Sequence, residues 1–124
     1  MAIHFTAADP RVRCVATLAP VTDLTILTEF SGNKNESLAR SLSVMHVADK
    51  LVRRGLWLYI GNDDERVGTD EAIAFARLVT RRTTTSKQRA NVKLIVDASE
   101  GHGVGISPHF EAAEWIASQL AESR

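Results

Sequence analysis

The sequence predicts an α/β domain in three layers, a parallel sheet of about three strands with flanking helices. Three observations carry that prediction. The run Gly55-Leu-Trp-Leu-Tyr-Ile60 is continuously apolar and bounded by glycines. Such a run fits a strand buried on both faces, which in practice means parallel strands covered by helices. Segments of strand character at 12–18, 55–60 and 92–96 also alternate with segments of helical spacing, the signature of a parallel sheet. Finally, 124 residues of which 44% are hydrophobic suffice for one domain with a modest core.

Taken in order, residues 2–8 read as the last turns of a helix that Asp9-Pro10 stops, because proline disfavours helical geometry in the residue before it. No capping side chain precedes residue 2, so this helix reads as the end of an element begun earlier. Val12 to Leu18 is a strand of small and branched apolar residues ending at Pro20. Residues 20–50 form a long connection, within which Ser37 to Leu51 has helical spacing through Leu38, Leu42, Met45 and Leu51. After strand 55–60, Thr69 to Arg82 is a helix. Thr69 stands as its cap, Asp70 and Glu71 occupy its first turn, and Arg77, Arg81 and Arg82 lie towards its C-terminus, as the macrodipole favours. Its inward stripe is Ile73, Ala76 and Val79 or Thr80. Val92 to Val96 is the third strand. Ser107 caps a last helix with Pro108 at its first position, turning Phe110, Ala113, Ile116 or Ala117, and Leu120 inward.

Fifteen basic and fifteen acidic side chains cancel, so no net field draws the chain to nucleic acid or an anionic membrane. Arg81 to Arg89 is locally basic, but no aromatics interleave for base stacking, and it reads as a solvated loop. Cys14 is the only cysteine. It excludes an intrachain disulfide and a cysteine zinc cage, and its place in an apolar stretch makes it a buried thiol. No apolar run reaches the length of a membrane span and the opening residues do not form a signal peptide, so the expected compartment is the cytoplasm. No cofactor is expected.

The residues capable of chemistry follow strands. Ligands in open parallel sheets bind beyond the carboxyl ends of the strands. Gly61-Asn62-Asp63-Asp64-Glu65-Arg66-Val67-Gly68 follows one strand, and Ser99-Glu100-Gly101-His102-Gly103 follows another. A carboxylate bonded to one imidazole nitrogen fixes the tautomer and leaves the other nitrogen free to take a proton.

Gly61-x-x-Asp64-x-x-Val67, with Gly101-His102-Gly103 about 40 residues later, resembles the acid and histidine loops of the α/β-hydrolase superfamily, in its prolyl-oligopeptidase and dienelactone-hydrolase branches. Ala7-Ala8-Asp9-Pro10-Arg11-Val12-Arg13-Cys14-Val15-Ala16 resembles the helix end and strand that follow the nucleophile elbow in that family, and Asp23 in Pro20-Val21-Thr22-Asp23-Leu24 fits the same region. The resemblance covers about residues 1–122. It implies the C-terminal half of such a fold, with Asp64 as triad acid, Asp63 as the alternative if the loop register slips by one, and His102 as base.

The departure from the family lies in the nucleophile. The triad runs nucleophile, acid, histidine along the chain, and G-x-S-x-G occurs nowhere in these residues. The resemblance therefore implies the C-terminal portion of a serine esterase or peptidase, inactive by itself, with oxyanion donors missing as well. Ser99 in Asp97-Ala98-Ser99-Glu100-Gly101 lacks the first glycine of an elbow and is rejected as a nucleophile, as is Cys14. His4, His46 and His109 fall on helices. His46 with Asp49, or Asp64 with His102, could share a metal, but no third ligand has metal-site spacing. Trp57 and Trp115 read as core. Two rival readings are a free-standing non-catalytic binding module and one half of a split hydrolase whose partner chain supplies the missing strands. The open, apolar edge of strand 12–18 invites pairing with another chain, so self-association is expected there.

Overall fold

A computed structural model describes residues 1–30, 32 and 34–121, with the side chains of Ser99 and Glu100 outside that set. Its elements are α1 (Ala2–Ala8), β1 (Cys14–Leu18), a 3₁₀ turn (Leu24–Ile26), α2 (Glu36–Ser41), a 3₁₀ segment (Val44–Leu51), β2 (Gly55–Asp63), α3 (Thr69–Thr85), β3 (Val92–Glu100) and α4 (Ser107–Ala121). The three strands form one parallel sheet in the order β1-β2-β3, so every carboxyl end lies at one rim. Among the described residues, no helix is long and apolar enough to cross a membrane.

Alternation along β2 divides the core. Leu56 and Leu58 point to one face, where they pack with Ile3 of α1, Leu51 of the 3₁₀ segment, and Phe75 and Val79 of α3. Trp57 and Tyr59 point to the other, where Ala112 and Trp115 of α4 cover them together with Val104. These are the three layers. β2 lies between two strands and two helical layers, which is why its seven residues from Gly55 to Gly61 are all buried. Gly55 is required by close approach. A Cβ there would stand 3.1 Å from the Trp115 ring, the Cys14 Cβ and Asn91 Nδ2.

Several expectations are corrected. β1 begins at Cys14 rather than Val12, although Arg13 still accepts from the Gly55 N–H at 2.9 Å. Residues 37–51 are two elements rather than one helix. Ser43 takes an extended ψ of 132° and the Val44 N–H turns to the Thr22 carbonyl at 3.1 Å, while the Ser43 hydroxyl accepts from Met45 N and starts a new segment. Leu38 and Leu42 are consequently exposed.

The buried stripe of α3 is Ala72, Phe75, Ala76, Val79 and Thr83, with Ile73 only half-buried, and the helix runs on to Thr85, leaving Arg82 alone of the arginines in its last turn. In α4, Pro108, Ala112 and Trp115 face inward, and Phe110 and Leu120 are exposed. Trp115 decides that rotation, because the bulkiest apolar side chain of the helix seats over Gly55. Ser107 is the first residue of that helix, and its hydroxyl donates to Glu111 Oε1 at 3.3 Å.

Candidate active site

The acid turn is built by the exit of β2. Ile60, Val67 and Ala72 form a small buried cluster, with Val21 and Leu27 packed against it, so the chain after Asp63 must fold back towards the core. That return buries Asp64 to 2% exposure. A buried carboxylate is tolerable only when its lone pairs are occupied. Here Oδ1 accepts from the Arg66 and Val67 N–H groups, both at 3.1 Å, and Oδ2 lies 3.0 Å from His102 Nδ1. The backbone is fixed too. The Asp64 N–H donates to Thr69 Oγ1 at 3.1 Å, the Thr69 hydroxyl donates to the Gly61 carbonyl at 2.6 Å, and the Gly68 N–H returns to the Asp64 carbonyl at 3.0 Å.

Thr69 is therefore not the cap of α3. Gly68 holds that position at φ +78°, where a Cβ would run into the Glu71 carboxylate and Ile26. The Thr69 side chain reaches backwards instead and clamps the acid turn. Sequence reasoning missed this role because a threonine at a helix start looks like a cap whichever way its hydroxyl points.

The histidine turn follows the neighbouring strand. A bulge between Gly61 and Asp63 shifts the β2–β3 register so that Asp63 opposes Glu100. The Gly101 N–H then donates to the Asp63 carbonyl at 3.2 Å, and Gly101 takes φ +77°, a left-handed conformation that glycine adopts without strain. The next residue, His102, turns its ring back onto Asp64 while its side chain remains 46% exposed. Asp63 is exposed and serves this turn through its backbone; of the two candidate acids, Asp64 alone reaches the imidazole.

The tautomer follows from the contact. An ionised carboxylate has acceptors only, so Nδ1 must carry the hydrogen, and in the neutral ring Nε2 is left with its lone pair. Among the described residues, Nε2 has no hydrogen-bond partner. A ring held at one nitrogen and open at the other can accept a proton from a group brought to the rim.

No family model and no curated protein matches the chain. The chemistry at the rim therefore rests on its own geometry.

The remaining candidates are dispersed. The side chain of Ser99 lies outside the described residues. Cys14 is half-buried and burial pushes its thiol up, which disfavours the thiolate needed for attack. Asp23 caps the 3₁₀ turn by accepting from Thr25 N at 2.9 Å. His46 and His109 meet the backbone carbonyls of Arg40 and Gly105, both at 3.1 Å, and Asp49 pairs with Arg82 at 3.2 Å. No cluster of three or more His, Cys, Asp and Glu among the described residues could hold a metal. Trp57 is fully buried and stacks on Tyr59 with ring centroids 6.1 Å apart.

One further polar pair lies on the α4 face. The Tyr59 hydroxyl donates to Asp97 Oδ2, and the phenol is pushed up to about 12, chiefly because ionisation would break that bond. Registering 55–60 against 92–96 would have revealed it, since Tyr59 opposes Ile95 and Asp97 lies two residues further along the same face.

Proposed function

We propose that these 124 residues supply the acid and histidine of a serine-hydrolase-type acyl-transfer site. Asp64 orients His102 and stabilises its protonated form. His102 Nε2 takes the proton of an attacking hydroxyl and delivers it to the leaving group, as a general base and then a general acid. The substrate is an ester or amide carbonyl. The nucleophile and the oxyanion donors come from polypeptide other than these residues, which hold no G-x-S-x-G. The resemblance to α/β-hydrolases supports this reading. The observation that carries it is the 3.0 Å contact between Nδ1 and a carboxylate that is itself fully buried, on a half-exposed ring whose Nε2 has no hydrogen-bond partner among the described residues.

Two measurements test it. The isolated chain should not turn over an activated ester. Turnover that His102→Ala abolishes and Ser99→Ala preserves would contradict the assignment of the nucleophile to another segment. The DNA immediately before the Met1 codon gives the second test. An in-frame G-x-S-x-G about ten residues upstream supports the hydrolase reading, since the elbow precedes the acid, whereas a promoter and ribosome site directly there favour a free-standing binding module.

The same reading assigns self-association to β1. Among the described residues β1 pairs with β2 alone, leaving its other edge open, and an open apolar edge invites a further strand. A monodisperse monomer at micromolar concentration by analytical ultracentrifugation would argue against it.

A further inference from the structure

Parallel strands share their starting rim as well as their finishing rim, and here the starting rim is basic. Arg13 precedes β1, Arg53 and Arg54 precede β2, and Arg89 precedes β3. These four arginines, from segments far apart in sequence, thus line one cavity of about 870 Å³ together with Asn91 and Gln119, and no acidic residue among the described ones lines it.

None of the four makes an ion pair among the described residues, and Arg13, Arg53 and Arg89 make no side-chain hydrogen bond there either. The fourth is anchored. Arg54 Nη1 donates to the Pro10 carbonyl at 2.9 Å, while its Nε is buried without a partner. Asp9, which feels the charge of Arg54, is engaged by Arg11 at 2.7 Å.

The opposite rim carries the complementary charge, since Asp63, Glu65, Asp70 and Glu71 line a cleft beside the acid turn. Although the formal net charge of the chain is zero, four arginines meet at this one rim. A concave surface lined by several arginines concentrates anions. Guanidinium forks match the oxygens of phosphate in pairs, and the volume lies within the range of small-molecule sites. The wall holds no aromatic ring, so it offers nothing on which nucleic-acid bases could stack.

We propose that this rim binds a small, multiply charged phosphate compound of the diphosphate class, at the end of the sheet opposite His102. The proposal is independent of the hydrolase reading. It is tested by calorimetric titration of the full chain with inorganic pyrophosphate at low salt, with sulfate and a single-stranded oligonucleotide as comparison ligands. Saturable pyrophosphate binding is expected, weakened at least tenfold in the Arg53→Gln/Arg89→Gln double variant and severalfold in Arg13→Gln, and unchanged in Arg40→Gln, whose side chain pairs with Glu36 elsewhere. The three substituted rim arginines are exposed, so circular dichroism should show an intact fold. Pyrophosphate binding no tighter than sulfate, unaltered binding in the double variant, or displacement by the oligonucleotide at lower concentration would each overturn the proposal.

Discussion

The acid turn and the histidine turn sit side by side at the same rim yet are built in opposite ways. Asp64 is buried and bonded through both carboxylate oxygens, its own N–H and its carbonyl. His102 is half-exposed, follows a left-handed glycine and, among the described residues, makes one side-chain hydrogen bond, to Asp64. The difference shows a division of labour. The carboxylate is over-determined by the fold, and the imidazole takes its orientation from the carboxylate. Rigidity flows from the core cluster at Ile60 and Val67, through Asp64, to the imidazole.

Substitutions should separate the two turns, and the largest effect belongs to the acid. Asp64→Ala leaves the Arg66 and Val67 N–H groups without an acceptor. The Val67 N–H is buried and the Arg66 N–H part-buried; an unsatisfied buried donor costs about 1–3 kcal/mol, so a loss of about 2–3 kcal/mol is expected in urea unfolding. Thr69→Val keeps the shape of the side chain but removes the hydroxyl that bridges Asp64 N and the Gly61 carbonyl. It should cost about 1–2 kcal/mol by the same measure, and no loss would show that the clamp is ornamental.

Gly101→Ala should cost about 1 kcal/mol. A Cβ there would meet nothing within 4 Å, so the whole effect would be the left-handed backbone. His102→Ala should cost no more than about 1 kcal/mol, because it takes the donor from Asp64 Oδ2 but opens that oxygen to water. If it destabilised as much as Asp64→Ala, the direction of support between the turns would be reversed.

The Tyr59–Asp97 pair offers a pH-dependent contrast on the α4 face. The folded state raises the phenol from its ordinary value near 10 to about 12. Folding therefore favours the protonated phenol. Its contribution is fully present below pH about 10 and is lost as pH rises towards about 12. Tyr59→Phe should flatten the alkaline limb of a thermal-melt profile over that window, with little change at neutral pH.

Much of this arrangement was legible in the sequence. The apolar run at 55–60 predicted the central parallel strand, and the glycines around Asp64 and His102 marked two turns at its carboxyl side. Legibility failed where tertiary packing chose between equivalent helix faces. The spacing in α4 admitted both Phe110 with Leu120 and Ala112 with Trp115, and the bare backbone at Gly55 decided for the second. It also failed at Ser37 to Leu51, where Ser43 and the distant Thr22 carbonyl divide one apparent helix into two. The basic rim escaped for a related reason. Arg13, Arg53, Arg54 and Arg89 are brought together only by strand topology.

The imidazole itself offers the sharpest test. Long-range ¹H–¹⁵N NMR of the neutral ring should show His102 with its hydrogen on Nδ1 and Nε2 bare. In Asp64→Asn the amide oxygen should remain engaged by the Arg66 and Val67 N–H groups, turning the amide NH₂ towards the ring and moving the hydrogen to Nε2. Wild-type protein with its hydrogen already on Nε2, or one tautomer shared by both proteins, would contradict the claim that Asp64 sets the state of His102.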